Sequence, residues 1–485
     1  RIQIMSQLSI MSILNLLSKQ PEVFSTFDEA ATAALSVLDI KPVQIFRPAN
    51  KEGQKWADYR MLAKVNQNNR DAILSYLASN IKLNRSVGSM VGMAVADAVG
   101  AHLEFLPVCN GDGEIEPMAA FSLLSMEYSG KSNKFRLQPG QWTDDSSMGF
   151  CMADSLLAKS GQYDGSDIRT RFHLWWNFGY VNCFINDPTR SGSVGLGGNI
   201  AMSLDSCRAG EVPTPTFERQ NEDAGIGSLM RLAPIPVCYH TDIDKARTHA
   251  ASSSLTTHPG LLAAECCAFV AHVIVRAINR EEGDDMREFL DQMVSEYISL
   301  INTKIESIEA EQEQETEQEP NEDGAAAAVS GGGGDRMNNK ANRLNALQQV
   351  LRLLKSEESD ESKERCWNWK SDSLEIHKTS TNRGRTYNGY PVLPGYFGSF
   401  CMDGLSMALW SLYHTTDFDH AVEKCVNLLG DADSTASIVG QVAGAFYGYS
   451  TINDEFIKNL EKWDSGDTAL RGALLFAIGN GPANE

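Results

Sequence analysis

The sequence predicts an all-α fold, and three observations carry that prediction. Apolar residues recur at three- and four-residue spacings, as in Leu405, Ala408, Leu409 and Leu412, or Val422, Val426 and Leu429, the period of a helix with one buried face. Alternating apolar and polar runs joined by hairpin turns are scarce, and only residues 387–396 leave room for a short extended piece. The most apolar window, residues 261–278, is interrupted by Glu265, His272 and Arg276, so it reads as a buried core helix in preference to a membrane span.

With 485 residues, the chain exceeds the usual size of one domain, which implies a large domain with an appended segment or an insertion. A net charge of −21 argues against broad phosphate-backbone binding and against docking on an anionic membrane, so neither direct nucleic-acid binding nor a membrane role is expected. An anionic ligand would need a local site. The 10 cysteines show no CxxC spacing, and the adjacent Cys266 and Cys267 lie in an apolar run. That usage predicts reduced structural thiols in a cytoplasmic or nuclear protein. The first twenty residues are apolar but carry Lys19 and no small-residue cleavage site, which speaks against a signal peptide.

In chain order, residues 1–82 are expected to form an N-terminal helical extension, with patterning around Trp56, Tyr59, Leu62, Leu74 and Leu77. It is either a helical hairpin packed on the main domain or a partner-binding arm. Residues 83–480 form the main domain. At about 304–343 it is interrupted by a Glu/Gln run, an Ala tract and a Gly run, whose composition predicts a disordered spacer or acidic interaction tail. Apolar Leu344, Leu347, Val350, Leu351 and Leu354 then restore a helical stripe.

Three stretches carry chemistry. In the first, Gly88, Gly92, Ala96 and Gly100 make a small-residue strip at four-residue intervals, with Asp97 beside it and Glu104 one turn beyond. A tight helix crossing with a surface acid would explain it equally well. In the second, Thr143, Asp144 and Asp145 precede a helical pattern of Met148, Cys151, Met152 and Leu156. In the third, Asp431, Asp433 and Ser434 precede a second strip of Gly440, Gly444 and Gly448. Acids at a helix start can serve as caps. Capping explains less well why the arrangement occurs twice. Together Thr143, Asp144, Asp145, Asp431, Asp433 and Ser434 supply enough hard oxygens for two Mg²⁺ ions, with Mn²⁺ the alternative.

These three stretches resemble the signature motifs of the ADP-ribosyl-glycohydrolase family, the ADP-ribosylhydrolases similar to dinitrogenase-reductase-activating glycohydrolase, over roughly residues 83–480. The resemblance implies an orthogonal multi-helix fold, a two-magnesium centre, and hydrolysis of the glycosidic bond joining ADP-ribose to a protein side chain or small acceptor. Its partner would be an ADP-ribosylated protein or an ADP-ribose-containing small molecule, acted on by a monomer. It further implies that Glu104 lies near the metals as ligand and candidate base, with Asp145 the rival base. Segments around Gly197 and Gly198, around Gly225, Gly227 and Ser228, and at His258 resemble the family's nucleotide-binding loops. Read alone, such glycines more often make turns, and such a histidine more often sits in a core.

Three departures from the family pattern stand out: Ala96 and Leu429 occupy positions where glycine is common, and Ile226 one where asparagine is frequent. The alternative function is a non-catalytic, crystallin-like structural relative that kept the fold without turnover, and Ile226 is the departure that favours it.

Overall fold

The computed structural model describes residues 24–45, 58–108, 121–129, 133–187, 189–190, 192–219, 224–317, 333–359, 364–384, 386–387, 390–391 and 395–481. Its axis is the crossing of α3 (Ile81–Gly100) with α15 (Ala432–Tyr447), the first buried from Leu83 onward and the second along nearly its whole length. Asn80 starts α3 by accepting from Leu83 N at 3.0 Å. The two small-residue strips meet face to face. A Cβ on Gly88 would lie 2.3 Å from Gly444 O, and one on Gly92 2.2 Å from Gly440 O. Further along, a Cβ on Gly100 would lie 2.6 Å from Asp433 Cα. Backbone therefore packs on backbone, which brings the end of α3 against the start of α15 and so sets Glu104 beside Asp433.

Around this pair stand α4 (Asp144–Ala158), α5 (Gly165–Phe178), α7 (Pro234–Cys238), α8 (Ile243–Ser254), α9 (Leu261–Asn279), α13 (Cys401–Tyr413), α14 (Phe418–Val426) and α17 (Asp467–Asn480). Lying between these in the chain are α6 (Gly198–Asp205), α10 (Met286–Glu317), α11 (Gly333–Lys355), α12 (Ile376–Arg383) and α16 (Asp454–Asp464). α9 is long and apolar enough to cross a membrane by composition, yet 83% of its most apolar window is buried inside the fold. Strand structure among the described residues is confined to two hairpins, β1 (Phe121–Ser122) with β2 (Glu127–Tyr128) and β3 (Thr386–Tyr387) with β4 (Tyr390–Pro391). The second falls where the sequence left room for an extended piece, and the fold is all-α.

The N-terminal part contributes α1 (Phe27–Ser36) and α2 (Gln67–Ser75), which pack on α17. Phe27 meets Phe476 with ring centroids 5.9 Å apart, and Arg70 pairs with the nearly buried Asp467 at 2.7 Å. Trp56 lies outside the described residues.

The expected disorder at 304–343 needs correction at both flanks. α10 continues to Glu317 and α11 begins at Gly333, while residues 318–332 lie outside the described ones. Glu, Gln, Lys and Ala are strong helix formers, so a polar run extends a helix that packing has already nucleated. Ile301 and Ile308 are buried on α10, and Leu347, Val350 and Leu354 on the α11 packed beside it.

Candidate metal centre and ligand cleft

Helix capping, the simplest account of the acidic helix starts, is done by a different residue. Asp97, fully buried on α3, accepts from Thr143 N at 3.0 Å, Thr143 Oγ1 at 2.9 Å, Ser146 N at 2.9 Å and Ser146 Oγ at 2.5 Å. It thereby satisfies the first amides of α4 from across the helix pair. Neither Thr143 nor Asp431 bonds the amides of its own helix with its side chain. Asp433 Oδ1 accepts one amide, Ser434 N at 3.0 Å, and the remaining carboxylate oxygens are left for another task.

Two groups of oxygens result, one from Asp97, Asp145 and Asp433 and one from Glu104, Asp431 and Asp433, each with its atoms within 4.8 Å of one another. Asp433 belongs to both. All these residues, with Asp144, are buried. Buried acids elsewhere find cations, Asp154 with Arg471 and Asp403 with Arg383, but among the described residues no Lys or Arg ion pair reaches this cluster. Burial, followed by repulsion from neighbouring aspartates, holds the carboxyls of Glu104, Asp144, Asp145 and Asp433 far above the usual range, and burial raises Asp431. Asp97 is pushed up only to about 6, because its four hydrogen bonds oppose the burial.

Glu104 Oε2 and Asp145 Oδ1 are buried without a hydrogen-bond partner. Orphaned oxygens in an all-oxygen donor set fit hard divalent cations, which would neutralise the repulsion. Asp97, whose oxygens are already engaged by four donors, fits as the residue that orients Thr143 and not as a ligand.

The centre opens into a cleft of about 820 Å³. Glu104, Asp144, Asp431, Asp433, Ser434, Gly197, Gly198, Gly225, Gly227 and His258 line it. Thr143 and Asp145 lie behind the lining, both about 1% exposed. Ser228, expected at the nucleotide, is instead fully buried and accepts from Ser254 Oγ at 2.8 Å. The short 3₁₀ turn at Ile226–Ser228 rotates it away from the cleft into the packing under the loop.

Close approach explains the glycines. A Cβ on Gly195, which has φ +94°, would lie 2.0 Å from Asp144 Oδ1. Those on Gly225 and Gly227 would sit 3.1 and 3.0 Å from the His258 ring. Thr257 Oγ1 accepts from Arg231 at 2.7 Å, which leaves its own proton for His258 Nδ1 at 2.8 Å. Burial lowers the imidazole to about 3, so His258 is neutral in the cleft, and with the Thr257 proton on Nδ1 its Nε2–H would be the free donor.

Ile226 is a packing residue. Its Cδ1 occupies the space a Cβ on Gly404 would need, 2.1 Å away, while its N–H donates to Ser399 O at 2.9 Å. Leu429, one of the two positions where glycine is common, has φ +65°, a left-handed conformation that glycine adopts without strain.

Sequence reasoning missed several lining residues. Phe105, Tyr396 and Phe400 follow no period, and the buried Arg383–Asp403 pair, at 2.6 Å, joins residues whose proximity only the fold creates. Asp97 was noted, but its donors lie on α4, beyond the reach of local pattern.

Comparison with known proteins agrees with this geometry. A family model described as ADP-ribosylglycohydrolase matches residues 78–479. The chain is similar to "ADP-ribosylarginine hydrolase Tri1" of Pseudomonas putida (25% identity, covering 78% of this chain and 74% of that one). It is also similar to "ADP-ribosyl-[dinitrogen reductase] glycohydrolase" of Rhodospirillum rubrum, at 26% identity over 44% of this chain and 65% of that one. A solved ADP-ribosylglycohydrolase-related protein complex shares the fold, with TM-score 0.51 and 21% identity over 82% of this chain and 99% of its own. A motif-bearing cleft and a family match spanning the whole main domain lead to one assignment: the chain belongs to the ADP-ribosylglycohydrolase family.

Proposed function

We propose that this chain hydrolyses the glycosidic bond between the C1″ carbon of ADP-ribose and an acceptor, with Glu104, Thr143, Asp144, Asp145, Asp431, Asp433 and Ser434 holding two Mg²⁺ ions. The observation that carries the reading is the pair of buried carboxylate groups sharing Asp433, with two orphaned oxygens and no counter-charge among the described residues, at the end of a cleft large enough for a nucleotide. When bound, such ions supply polarisation of the ribose hydroxyls and stabilisation of developing charge.

The chain's own residues do the rest. The Gly197–Gly198 and Gly225–Gly227 loops and His258 line the cleft, where their N–H groups, apart from that of Ile226, would serve as donors for the pyrophosphate and the nucleoside. Glu104 lines the cleft and Asp145 does not, which supports Glu104 over Asp145 as the base that takes the proton of the attacking water. Burial first, then repulsion from Asp433, Asp431 and Asp144, raises its carboxyl, so a cation that offsets both would free it to act as a base. The water oxygen bonds to C1″ as the C1″–acceptor bond breaks; the acceptor takes that bond's electron pair and receives the proton that Glu104 removed from the water.

Arginine-linked ADP-ribose is the acceptor to test first, because the relatives aligned over most of the chain carry that activity in their names. The nine described cysteines, all free thiols, support a cytoplasmic or nuclear site of action. Turnover of ADP-ribosyl-arginine, ADP-ribosyl-serine and O-acetyl-ADP-ribose, with Mg²⁺ and with chelator, provides the test. Magnesium-dependent release of ADP-ribose from one member of this panel is expected. Absence of turnover on every member by a protein that still binds ADP-ribose would favour a non-catalytic relative.

A further inference from the structure

A strap at residues 395–398 crosses the acidic end of the cleft and is tied down on both sides. Gly395 O accepts from Val108 N, and Phe397 O from Asp431 N, each at 2.8 Å. Gly395 and Gly398 have φ of +77° and +107°. A Cβ on Gly395 would come within 2.9 Å of Pro107, and one on Gly398 within 3.2 Å of Asp431 Cβ, so the strap lies flush against the chain bearing the acids. Tyr396 stands between these anchors. Its ring stacks on Phe105 with centroids 5.6 Å apart and planes 23° apart, and Phe105 is held in turn by its N–H to Gly430 O at 3.0 Å. The Tyr396 hydroxyl reaches Glu104 Oε1 at 3.5 Å, the outer limit of such a contact, and lies beside Asp431. Oε2 has no hydrogen-bond partner, and among the described residues Tyr396 is the neutral hydroxyl that reaches the Glu104 carboxylate, whose other near neighbours Asp431 and Asp433 are themselves acids.

We propose that Tyr396 is a positioning residue of this centre: its ring, clamped on Phe105, holds its hydroxyl where it keeps the Glu104 and Asp431 carboxylates in register. This assignment rests on the function proposed above. A phenol carries one proton, which Asp431 or Glu104 can accept in turn. Phe105 supplies the clamp and Tyr396 acts through Glu104, so neither needs to touch the reacting carbon.

The test compares Tyr396→Phe with wild type, alone and in a Glu104→Gln background, by calorimetric Mg²⁺ titration, ADP-ribose binding, thermal unfolding and steady-state kinetics. Tyr396→Phe should keep the melting temperature and bind ADP-ribose within about twofold, because the ring and the cleft remain. Its Mg²⁺ affinity and kcat should each fall about tenfold with KM little changed, the scale of one hydrogen bond to a charged group. In the Glu104→Gln background the same change should add little, since the two act as a unit.

Wild-type Mg²⁺ affinity and kcat in Tyr396→Phe, or a full additional loss in Glu104→Gln, would overturn the assignment. A wild type that binds Mg²⁺ but hydrolyses nothing would sink the proposed function alone, because Mg²⁺ affinity would still decide the role of Tyr396. A wild type that binds no divalent cation would overturn both.

Discussion

Asp433 is the residue on which the centre turns, since it belongs to both oxygen groups whereas Glu104 and Asp145 each belong to one. Replacing it with Asn should remove more bound Mg²⁺ than Asp145→Asn does and lower hydrolysis at least about a hundredfold, as expected when a unit loses its shared member. Calorimetry and turnover on the two variants would reveal equal losses if the sharing were wrong. A second residue makes a pH prediction away from the site. Burial, then the neighbouring Arg247, lowers His272 to about 4, while an unfolded histidine titrates near 6.5. As pH falls below about 6.5 the unfolded chain takes the proton first. Stability from the neutral ring is therefore complete above that pH and is lost progressively toward pH 4. Wild type should lose on the order of 1–2 kcal/mol more than His272→Gln between pH 7 and pH 5, read from urea midpoints. Parallel pH profiles for the two proteins would refute it. Legibility at this scale followed repetition. Asp144, Asp145, Asp431 and Asp433 were readable because an acidic helix start occurs twice, whereas Tyr396 has no counterpart elsewhere in the chain.

Among the elements, the α3–α15 crossing decides where the acids meet, and it gives the sharpest packing test. A methyl group added at Gly92 or Gly440 would meet a facing carbonyl oxygen at 2.2 or 2.0 Å, and backbone yields only if the helices separate. Gly92→Ala and Gly440→Ala should each lower stability by about 3 kcal/mol or more, at or beyond the upper range of overpacking costs, and weaken Mg²⁺ binding with it. Gly198→Ala makes the contrast, because nothing lies within 4 Å of its added Cβ. It should leave the denaturant midpoint nearly unchanged while reducing ADP-ribose affinity, by placing a methyl group on a loop that faces the cleft. Equal destabilisation of all three variants would show that the crossing is looser than it stands here. Four-residue spacing made each strip visible in the sequence. It could not say that the strips face one another, because periodicity reports which face of a helix is small and not what covers that face. The same limit explains the insertion: composition marked residues 304–343 as unable to bury a core, but Ile308 on one flank and the α11 stripe beyond the other draw both flanks into packed helices.

At the scale of the whole molecule, cation binding and folding are linked with opposite signs in wild type and in a ligand variant. The fold gathers at least five carboxylates into one buried region that no Lys or Arg among the described residues pairs with, so the cation-free native state carries repulsion that the unfolded chain relieves. Removing one of those charges should therefore stabilise the cation-free protein: Asp433→Asn should melt above wild type in chelator, by a few degrees if the gain is about 1 kcal/mol. In excess Mg²⁺ the order should reverse. Binding to the native state alone adds about 2.7 kcal/mol at a hundredfold excess over the dissociation constant, an increment that wild type receives and the variant largely forgoes. Deleting about half of residues 318–332 supplies the matching control, because the helices that flank the segment pack on each other and halving a loop changes its closure free energy by only about 0.6 kcal/mol. That deletion should leave both melting curves and the hydrolysis rate close to wild type. Thermal scans of the three proteins in chelator and in Mg²⁺ distinguish the accounts. Crossing curves for Asp433→Asn mean that the acids exist to hold a cation, whereas a variant less stable than wild type in both buffers would mean that Asp433 is a structural hydrogen-bond partner whose charge the fold needs.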